Sequence, residues 1–501
     1  MKEFLDSVHG HIRVPVEWCK NILDTPQFQR LRRIEQNSCR SVYPSARHDR
    51  FIHSLGVYHI GTMIAEHLAQ TTAPEYLPED CEKIFQTYRL ACLLHDVGHT
   101  PFSHTFEIFY DEASMKDALT ESLGDEKFKS DIEAHQDKLT EHELLSAYVS
   151  VKVYRPMLGD DNINWPLLVR MITGMPYIDH NDQPRDDSFS NVMISLIHGS
   201  IDADNLDYVC RDSWAGGYNN FAVDLRRLIG AMKIVKTDGR YELAFSSKAL
   251  NEIEAVLNIK NFQFLYVLNH HKVHLEQHYL IEGIKTAAVF HTGIEERDIA
   301  IRELCDFRTY LEPKMLDKTG YRLHRPCDDD FVAMMKLSEP DEYITGWFSR
   351  SFQHTPLWKS KIEFFNTFAD ELFHIPVPIY EQNKNRSDEY LKRKRLEYIE
   401  TICNLPCKEY VARELGLDKK GIIIKKIMPK VRRLNPDEIM VWIGGDVKKF
   451  TDLVHDSFSL SSEMYPFSYW YVNLSNIEGN DIAAKKATVI NKIKEFIRTI
   501  A

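Results

Sequence analysis

Residues 90–104, LACLLHDVGHTPFSH, decide the fold and point to its chemistry. An apolar helical run delivers His95 and Asp96 side by side at its carboxyl end, and Gly98 and Pro101 then stop the helix. Adjacent imidazole and carboxylate groups offer mixed nitrogen and oxygen ligands, which suit a divalent transition metal better than calcium. Two residues cannot hold such an ion alone, so the sequence must supply further ligands.

The two further candidate ligands lie on either side of this run. His53 stands mid-helix in RFIHSLG (50–56), and Asp204 lies in IDADNLDY (201–208). A single His on an apolar face is usually a hydrogen-bonded core residue, and an isolated His-Asp pair is usually a helix cap. The ordered pattern H…HD…D, with every member in a helical segment, favours a metal site over these alternatives.

The rest of the chain predicts a mainly α fold with a smaller α/β region at its C-terminal end. Helical spacing recurs over 141–178, 190–212 and 246–290, and Asp24-Thr25-Pro26 is typical of a helix start. Residues 111–140 are charged and weakly patterned, which predicts a surface excursion. GIIIKKIM (421–428), EIMVWIGG (438–445) and FSYWYVNLS (467–475) predict strands, and residues 481–500 predict a closing amphipathic helix.

Composition excludes several classes of protein. The 501 residues carry a net charge of −12, so nucleic acid is an improbable partner. The nine cysteines are scattered without a CxxC pair, which indicates reduced thiols and a cytoplasmic location. The N-terminus has no apolar signal-peptide core, and no run of 18 apolar residues predicts a membrane span.

Five ordered motifs resemble a known enzyme family: DSVHGHI (6–12), DTPQFQRLRRIEQ (24–36), RHDRFIHSLGV (47–57), LLHDVGHTPFSHTFE (93–107) and IDADNLDYVCRD (201–212). The H…HD…D pattern is the signature of HD-superfamily metal phosphohydrolases, and the longer motifs are similar to the SAM-and-HD-domain dNTP triphosphohydrolases. This resemblance implies an HD-domain helical core over 1–290, a helical extension over 291–414 and an α/β region over 415–501. It also implies metal-dependent hydrolysis of deoxynucleoside triphosphates to deoxynucleoside and inorganic triphosphate.

The resemblance assigns roles to individual residues. The implied ligands of a divalent metal (Mn, Fe, Co, Ni, Zn or Mg) are His53, His95, Asp96 and Asp204. The implied catalytic groups that move protons near the scissile phosphate are His99, His104, Glu107 and His142. The implied substrate-binding residues are Gln36, Arg50, Tyr208 and Asp212. Glu107 departs from the family, which has Asp there, so its side chain reaches further.

The resemblance also implies regulation and assembly. Lys2, Asp24, Gln29 and Arg32 match a guanine-nucleotide activator site, so GTP or a dNTP is expected to bind there. Spacing alone favours a capping carboxylate with a surface ion pair, and Leu5 stands where the family has a polar Asn. The family further implies a homo-oligomer, as a dimer, tetramer or hexamer.

The substrate positions depart most from the family pattern. Asn205 and Asn261 replace a Lys and an Arg that meet the triphosphate, and Asn269 replaces a Tyr at the sugar. Lys260 and Lys272 are among the cations that could compensate. We expect dNTP substrates with better tolerance of a ribose hydroxyl. Two alternatives stay open, an HD-type nucleotidase or phosphodiesterase acting on another phosphorylated nucleotide and a non-catalytic nucleotide sensor.

Overall fold

The structure is a computed structural model that describes residues 1–135, 139–178, 187–218, 223–377, 384–428, 436–454, 465–479 and 481–500. It divides into two compact units. The first comprises Met1–Phe264, Ile281–Asp341 and Arg432–Phe458, and the second comprises Leu265–Leu280, Glu342–Val431 and Ser459–Ala501. The three-segment division expected from the sequence stays a prediction.

Helices dominate the described chain. In chain order they are α1 (Val16–Trp18), α2 (Pro26–Gln29), α3 (Arg50–Thr71), α4 (Cys81–Leu94), α5 (Glu112–Leu123), α6 (Glu126–Ala134), α7 (Glu141–Val149), α8 (Arg155–Leu158), α9 (Trp165–Thr173), α10 (Ser188–His198), α11 (Ala203–Gly216), α12 (Leu225–Gly230), α13 (Leu250–Phe262), α14 (His271–Thr292), α15 (Arg297–Leu304), α16 (Asp328–Leu337), α17 (Glu342–Ser349), α18 (Lys361–Thr367), α19 (Ala369–Phe373), α20 (Lys384–Ile402), α21 (Leu405–Glu414), α22 (Phe450–Val454) and α23 (Ile482–Ile500). None of these helices is long and apolar enough to cross a membrane.

The strands form four small sheets. They are β1 (Lys2–Asp6), β2 (Gly10–Val14), β3 (Met232–Thr237), β4 (Arg240–Ser246), β5 (Lys314–Met315), β6 (Arg322–Leu323), β7 (His354–Pro356), β8 (Ile422–Ile427), β9 (Met440–Ile443), β10 (Asp446–Lys449) and β11 (Phe467–Asn473). The sheet orders are β1-β2, β10-β9-β4-β3, β7-β11-β8 and β5-β6, and β4 and β9 are the parallel pair. The expected mainly α fold with a smaller α/β C-terminal region is confirmed.

The core of the first unit is built on α3, which packs against α4 and α11. Two glycines of α3 make this close packing possible. A Cβ at Gly56 would lie 1.8 Å from Asp207 Oδ1 on α11, and one at Gly61 would lie 2.4 Å from Cys92 Sγ on α4. The three helices therefore approach closely where the chemistry-bearing residues lie.

Local capping fixes where these helices begin. Thr25 caps α2 by accepting from Phe28 N, with Pro26 in the first turn, so the predicted helix start is confirmed. Asp49 caps α3 and Asp202 caps α11 in the same way. These caps set the first turns of α3 and α11, from which Arg50 and Asp204 project.

The predicted surface excursion at 111–140 is wrong for most of its length. Residues 112–134 form α5 and α6, and Met115, Leu119 and Phe128 on them are fully buried. The apolar positions are few, so the charged residues between them hid the helical stripe. Asp111 and Asp125 cap the two helices.

The second unit has its own core, around the sheet β7-β11-β8 and the helices α20, α21 and α23. Trp358 and Trp470 are buried there and donate indole N–H groups to backbone carbonyls. The predicted strands β8 and β11 and the closing helix α23 are confirmed. The third predicted strand is confirmed as β9, which instead belongs to the sheet of the first unit.

Candidate active site

Four side chains converge where α3, α4 and α11 meet. His53 comes from α3, His95 and Asp96 follow the last residue of α4, and Asp204 lies in the first turn of α11. His53 Nε2 lies 3.0 Å from Asp204 Oδ1 and 3.7 Å from Asp96 Oδ2. His95 Nε2 lies 3.4 Å from Asp96 Oδ2 and 3.8 Å from Asp204 Oδ1. The fold thus brings together all four residues implied as metal ligands.

The hydrogen bonds of the two rings leave the correct nitrogens for a metal. His53 Nδ1 lies 2.7 Å from Asp207 Oδ2, and His95 Nδ1 lies 3.0 Å from Cys92 O. Both partners only accept, so each Nδ1 carries a proton and each Nε2 faces the two carboxylates. Both Nε2 atoms are buried. His53, His95 and Asp204 offer ligand atoms that all lie within 4.8 Å of one another, and Asp96 lies beside both rings, so this set fits a divalent metal.

The metal group is closely surrounded by charged partners. Burial raises the pKa of Asp96, but the Arg50 guanidinium beside it holds the value well below the usual range. Burial lowers the pKa of His53, but hydrogen bonds that its ring donates to Asp204 and Asp207 raise it to about 9. A proton on His53 therefore stands where a metal would bind, and metal binding would release it.

A second cluster surrounds one oxygen of Glu107. His142 Nδ1 lies 2.7 Å and His104 Nδ1 lies 2.9 Å from Glu107 Oε1, while His99 Nε2 lies 3.8 Å away. The rings of His99 and His142 stack with centroids 4.5 Å apart. The His104 side chain is 54% exposed, whereas the other three residues are buried. The implied catalytic residues therefore form one group with a single accessible ring.

The cluster holds its protons unequally. Burial raises the pKa of Glu107, but the neighbouring His104 and His142 hold it well below the usual range, so the residue is ionised. Burial lowers the pKa of His142, but the Glu107 carboxylate raises it above its ordinary value. Burial and the Arg50 charge hold the pKa of His99 well below the ordinary value. The pKa values of the stacked His99 and His142 rings are thus shifted in opposite directions.

Arg50, implied as a substrate-binding residue, makes several hydrogen bonds within the protein. Its guanidinium donates to Asp96 Oδ2 at 2.7 Å, to Gln36 O at 3.1 Å and to Ser103 Oγ at 3.1 Å. Arg50 is buried and joins the metal group to two loops. These contacts orient Asp96.

Comparisons with known proteins identify relatives of this chain. The HD domain profile matches residues 50–164. An uncharacterized protein of Mycoplasma pneumoniae is 31% identical over 396 residues, which cover 78% of this chain and 82% of that protein. This chain belongs to the HD-domain family. The deoxynucleoside triphosphate triphosphohydrolase SAMHD1 homolog of Dictyostelium discoideum is 28% identical over 290 residues, 56% of this chain and 48% of that protein.

A solved structure agrees with this HD-domain fold. A phosphohydrolase from Bacteroides thetaiotaomicron superposes with a TM-score of 0.60 at 19% identity, covering 94% of this chain and 99% of that one. This likeness concerns the fold alone. The chain spans about half the length of the SAMHD1 homolog, so the match alone does not assign that protein's named activity to this chain.

The HD-domain site includes a supporting network that sequence reasoning missed. Asp207 accepts from His53 at one oxygen and lies 2.6 Å from His9 Nε2 at the other. Arg211 donates to both Asp207 oxygens at 2.8 Å and to Asp6 Oδ2 at 2.8 Å. Asp207 and Arg211 follow Asp204 at helical spacing of three and seven residues, the signal that could have found them.

The remaining implied substrate residues lie near this HD-domain centre with different constraints. Asp212 Oδ1 lies 2.6 Å from His48 Nε2, and both side chains are largely buried. Gln36 is buried, and its backbone N–H donates to His48 O. Tyr208 is half-buried on α11. His48 thus connects Asp212 with the loop that carries Gln36.

Asn205, expected in place of a phosphate-binding lysine, and the nearby candidate cation Lys260 both make contacts within the protein. The Asn205 side-chain amide donates to Gly199 O and Asp202 Oδ2 at the start of α11. Lys260 is buried and donates to Ser200 O at 3.0 Å. Both side chains are engaged in holding the 199–202 turn, so the observed contacts do not make Lys260 a replacement cation for a phosphate.

The implied activator residues lie in or near the N-terminal part of the first unit. Gln29 donates to Leu23 O at 2.7 Å and accepts from Arg32 Nε at 3.0 Å. The Arg32 guanidinium carbon lies 3.5 Å from the Phe51 ring centroid. Lys2 lies on β1, and both Lys2 and Asp24 influence the pKa of the Cys19 thiol, which burial raises. Leu5, where the family has Asn, is 78% exposed.

Proposed function

We propose that this protein is a metal-dependent hydrolase of deoxynucleoside triphosphates that yields deoxynucleoside and inorganic triphosphate. The observation that carries the proposal is the pair of adjacent groups: a nitrogen-and-carboxylate pocket suited to a divalent cation, and a histidine cluster suited to proton transfer. The HD domain match and the SAMHD1 homologs support the substrate class.

The metal ligands we propose are His53, His95, Asp96 and Asp204. When bound, a divalent cation at this site lowers the pKa of a water and polarises a phosphoryl oxygen. The chain's own contribution is to hold both imidazole Nε2 lone pairs and both carboxylates in place. Arg50 keeps Asp96 ionised and oriented for this purpose.

The histidine cluster is proposed to deliver the proton that the leaving group needs. Attack at the α-phosphorus breaks the bond to the 5′ oxygen of the deoxynucleoside, which then takes up a proton. His104 is the leading general acid because it is accessible and its Nδ1 is tied to Glu107, which leaves Nε2 for the substrate. His142, whose pKa Glu107 raises, and His99, whose pKa burial lowers, assist by passing a proton to His104.

A second candidate is an HD-type nucleotidase or phosphodiesterase acting on another phosphorylated nucleotide, one that carries fewer phosphates. The observation that favours it is the engagement of Asn205 and Lys260 in the 199–202 turn. Each charge-assisted phosphate contact contributes roughly 1.5–3 kcal/mol, so losing one costs roughly tenfold to a hundredfold in affinity. A substrate with fewer phosphates loses less from such a pocket.

A panel of nucleotides tests both candidates and the sensor alternative. Purified protein with added Mn, Fe, Co or Mg is given the four dNTPs, the four ribonucleotides, monophosphates and cyclic nucleotides, and products are identified by mass. Release of triphosphate from dNTPs supports the first proposal. Inactivity on all eight triphosphates with turnover of a monophosphate or cyclic nucleotide selects the second, and binding without turnover selects the sensor.

We also propose that GTP or a dNTP activates the enzyme at Lys2, Asp24, Gln29 and Arg32 and promotes a homo-oligomer. Positioning of Arg32 by Gln29 supports a prepared phosphate- or base-binding fork. Asp24→Ala should abolish both the activation and the change in solution mass on adding nucleotide, while basal turnover stays. If both responses survive in Asp24→Ala, the activator site lies elsewhere.

A further inference from the structure

Asp328 joins two loops of the active site from outside it. Its Oδ1 accepts from Phe102 N at 2.7 Å, and its Oδ2 accepts from Glu35 N at 3.1 Å. Asp328 is the first residue of α16 and is buried. Phe102 lies between His99 and His104, and Glu35 precedes Gln36. One carboxylate therefore holds a loop of proposed acid–base residues and a loop of proposed substrate binding.

The loop that Asp328 holds has a backbone that is costly to form. Phe102 and Ser103 both have positive φ, at 54° and 53°. A non-glycine residue in the left-handed region is strained and persists only where its surroundings fix it. The hydrogen bond from Phe102 N to Asp328 is made at this place. Ser103 Oγ in turn donates to Glu35 O, so the two loops also bind each other.

Other contacts anchor α16 against the same loops. Phe331 on α16 is fully buried and packs on the rings of Phe102 and Phe106. Arg30 donates to Pro326 O at 2.7 Å and to His99 O at 2.7 Å. The position of Asp328 is thus fixed from both sides, so its two acceptor oxygens are held rigidly.

We propose that Asp328 is a positioning residue: its carboxylate, through the amides of Glu35 and Phe102, sets the distance between His104 and Gln36. We call this arrangement the Asp328 clamp. The clamp acts through the backbone, so Asp328 needs no contact with substrate or metal. Its effect on turnover rests on the proposed function, but its effect on the two loops does not.

The sharpest test compares neighbouring carboxylates of one helix turn. Asp329 follows Asp328 in α16 but is exposed, with an ion pair to Arg33 at 3.3 Å. Hydrogen exchange, followed by mass spectrometry, is measured on peptides covering 33–37 and 100–105. Asp328→Ala should speed exchange in both peptides at once, Asp328→Asn should do so less because one acceptor oxygen remains, and Asp329→Ala should leave both at the wild-type rate.

Unchanged exchange in Asp328→Asn and Asp328→Ala, or an equal increase in Asp329→Ala, overturns the clamp. Should Asp328→Ala fail to fold, the near-isosteric Asp328→Asn and its control Asp329→Asn decide the question alone. This readout stands even if no nucleotide is turned over, an outcome that would defeat the proposed function and leave the clamp to be judged by exchange.

Activity separates a positioning role from a structural one. A displacement of the proton donor by about 1 Å costs up to about a hundredfold in rate, so kcat should fall tenfold to a hundredfold in Asp328→Asn. Metal content and the thermal unfolding midpoint measured at pH 5 should stay near wild type. Loss of metal in Asp328→Asn, or an unchanged kcat with substrate turnover established, contradicts the proposal.

Discussion

The two polar groups of the active site use the same residue types for different ends. The metal group combines two buried imidazoles with Asp96 and Asp204, and both ring Nε2 atoms face these carboxylates. The cluster around Glu107 combines three imidazoles with one carboxylate, and one of its rings is half exposed. Two carboxylates beside two imidazoles offer the mixed oxygen and nitrogen ligands of a divalent cation, whereas the single carboxylate shared by three rings raises the pKa of His142.

The difference teaches that neighbours decide what a histidine does. His53 and His95 have their Nδ1 atoms fixed by groups that only accept, so Nε2 points to the carboxylates where a metal would bind. His104 and His142 turn their Nδ1 atoms to a carboxylate that is itself ionised. Variants that remove one member of either group should therefore separate metal binding from proton transfer.

The largest expected effect comes from breaking the metal group. Asp204→Ala removes the carboxylate nearest His53, so turnover should fall to background. Steady-state rates on the best substrate of the panel measure this. Asp161→Ala, which removes an exposed carboxylate, is the matched control and should keep the wild-type rate. Retained turnover in Asp204→Ala would place the reaction elsewhere.

Breaking the histidine cluster should cost less and leave the metal in place. Glu107→Gln removes the charge that raises the pKa of His142 and weakens the acceptor that orients His104, so kcat should drop by about 10²–10⁴-fold. The pH at which kcat is half-maximal should also shift, because the pKa of His142 falls without Glu107. Wild-type kcat with an unmoved pH profile would remove the cluster from catalysis.

The network behind the metal group gives a smaller effect of a different kind. Asp207→Asn weakens the acceptor that fixes the His53 ring and disturbs Arg211, so metal affinity should fall by about 10–100-fold. Competition with a chelator measures the affinity, and excess metal should restore turnover. Failure of excess metal to rescue Asp207→Asn would mean that Asp207 does more than orient His53.

The smallest effect concerns stability and pH at Asp328. Burial and the Glu35 charge raise the pKa of Asp328 to about 7 against the opposing amides of Phe102 and Glu35 and the charge of Arg30. Between about pH 4 and 7 the folded protein then binds more protons than the unfolded one, so this contribution to stability falls as pH rises. From pH 5 to 8 the unfolding midpoint of wild type should drop a few degrees further than that of Asp328→Asn. Parallel curves would contradict the raised pKa.

Local sequence patterns predicted much of the helical framework and many of the residues that it brings together. LACLLHD placed His95 and Asp96 at a helix end, and Asp24-Thr25-Pro26 marked the start of α2. The β3–β4 hairpin was missed although Asp238-Gly239 is a typical turn signal. Local signals of this kind can be recovered by closer reading.

Other parts of the site depend on distant pairings that no local pattern carries. His9 and Asp207 are 198 residues apart, and Phe102 and Asp328 are 226 residues apart. The contacts of Asn205 and Lys260 with the 199–202 turn likewise could not be predicted from the sequence, because they depend on the folded structure. Tertiary packing, which brings these pairs together, is the information that the sequence pattern lacks.

Elemental analysis of three purified proteins tests the central claim most directly. Wild type, His95→Ala and Glu107→Gln are loaded with the same divalent metal, freed of excess and measured for metal per chain. We expect a bound metal in wild type and in Glu107→Gln, and we expect a folded His95→Ala to have lost it. Stoichiometric metal in His95→Ala, or its loss only in Glu107→Gln, would contradict the assignment of the two groups.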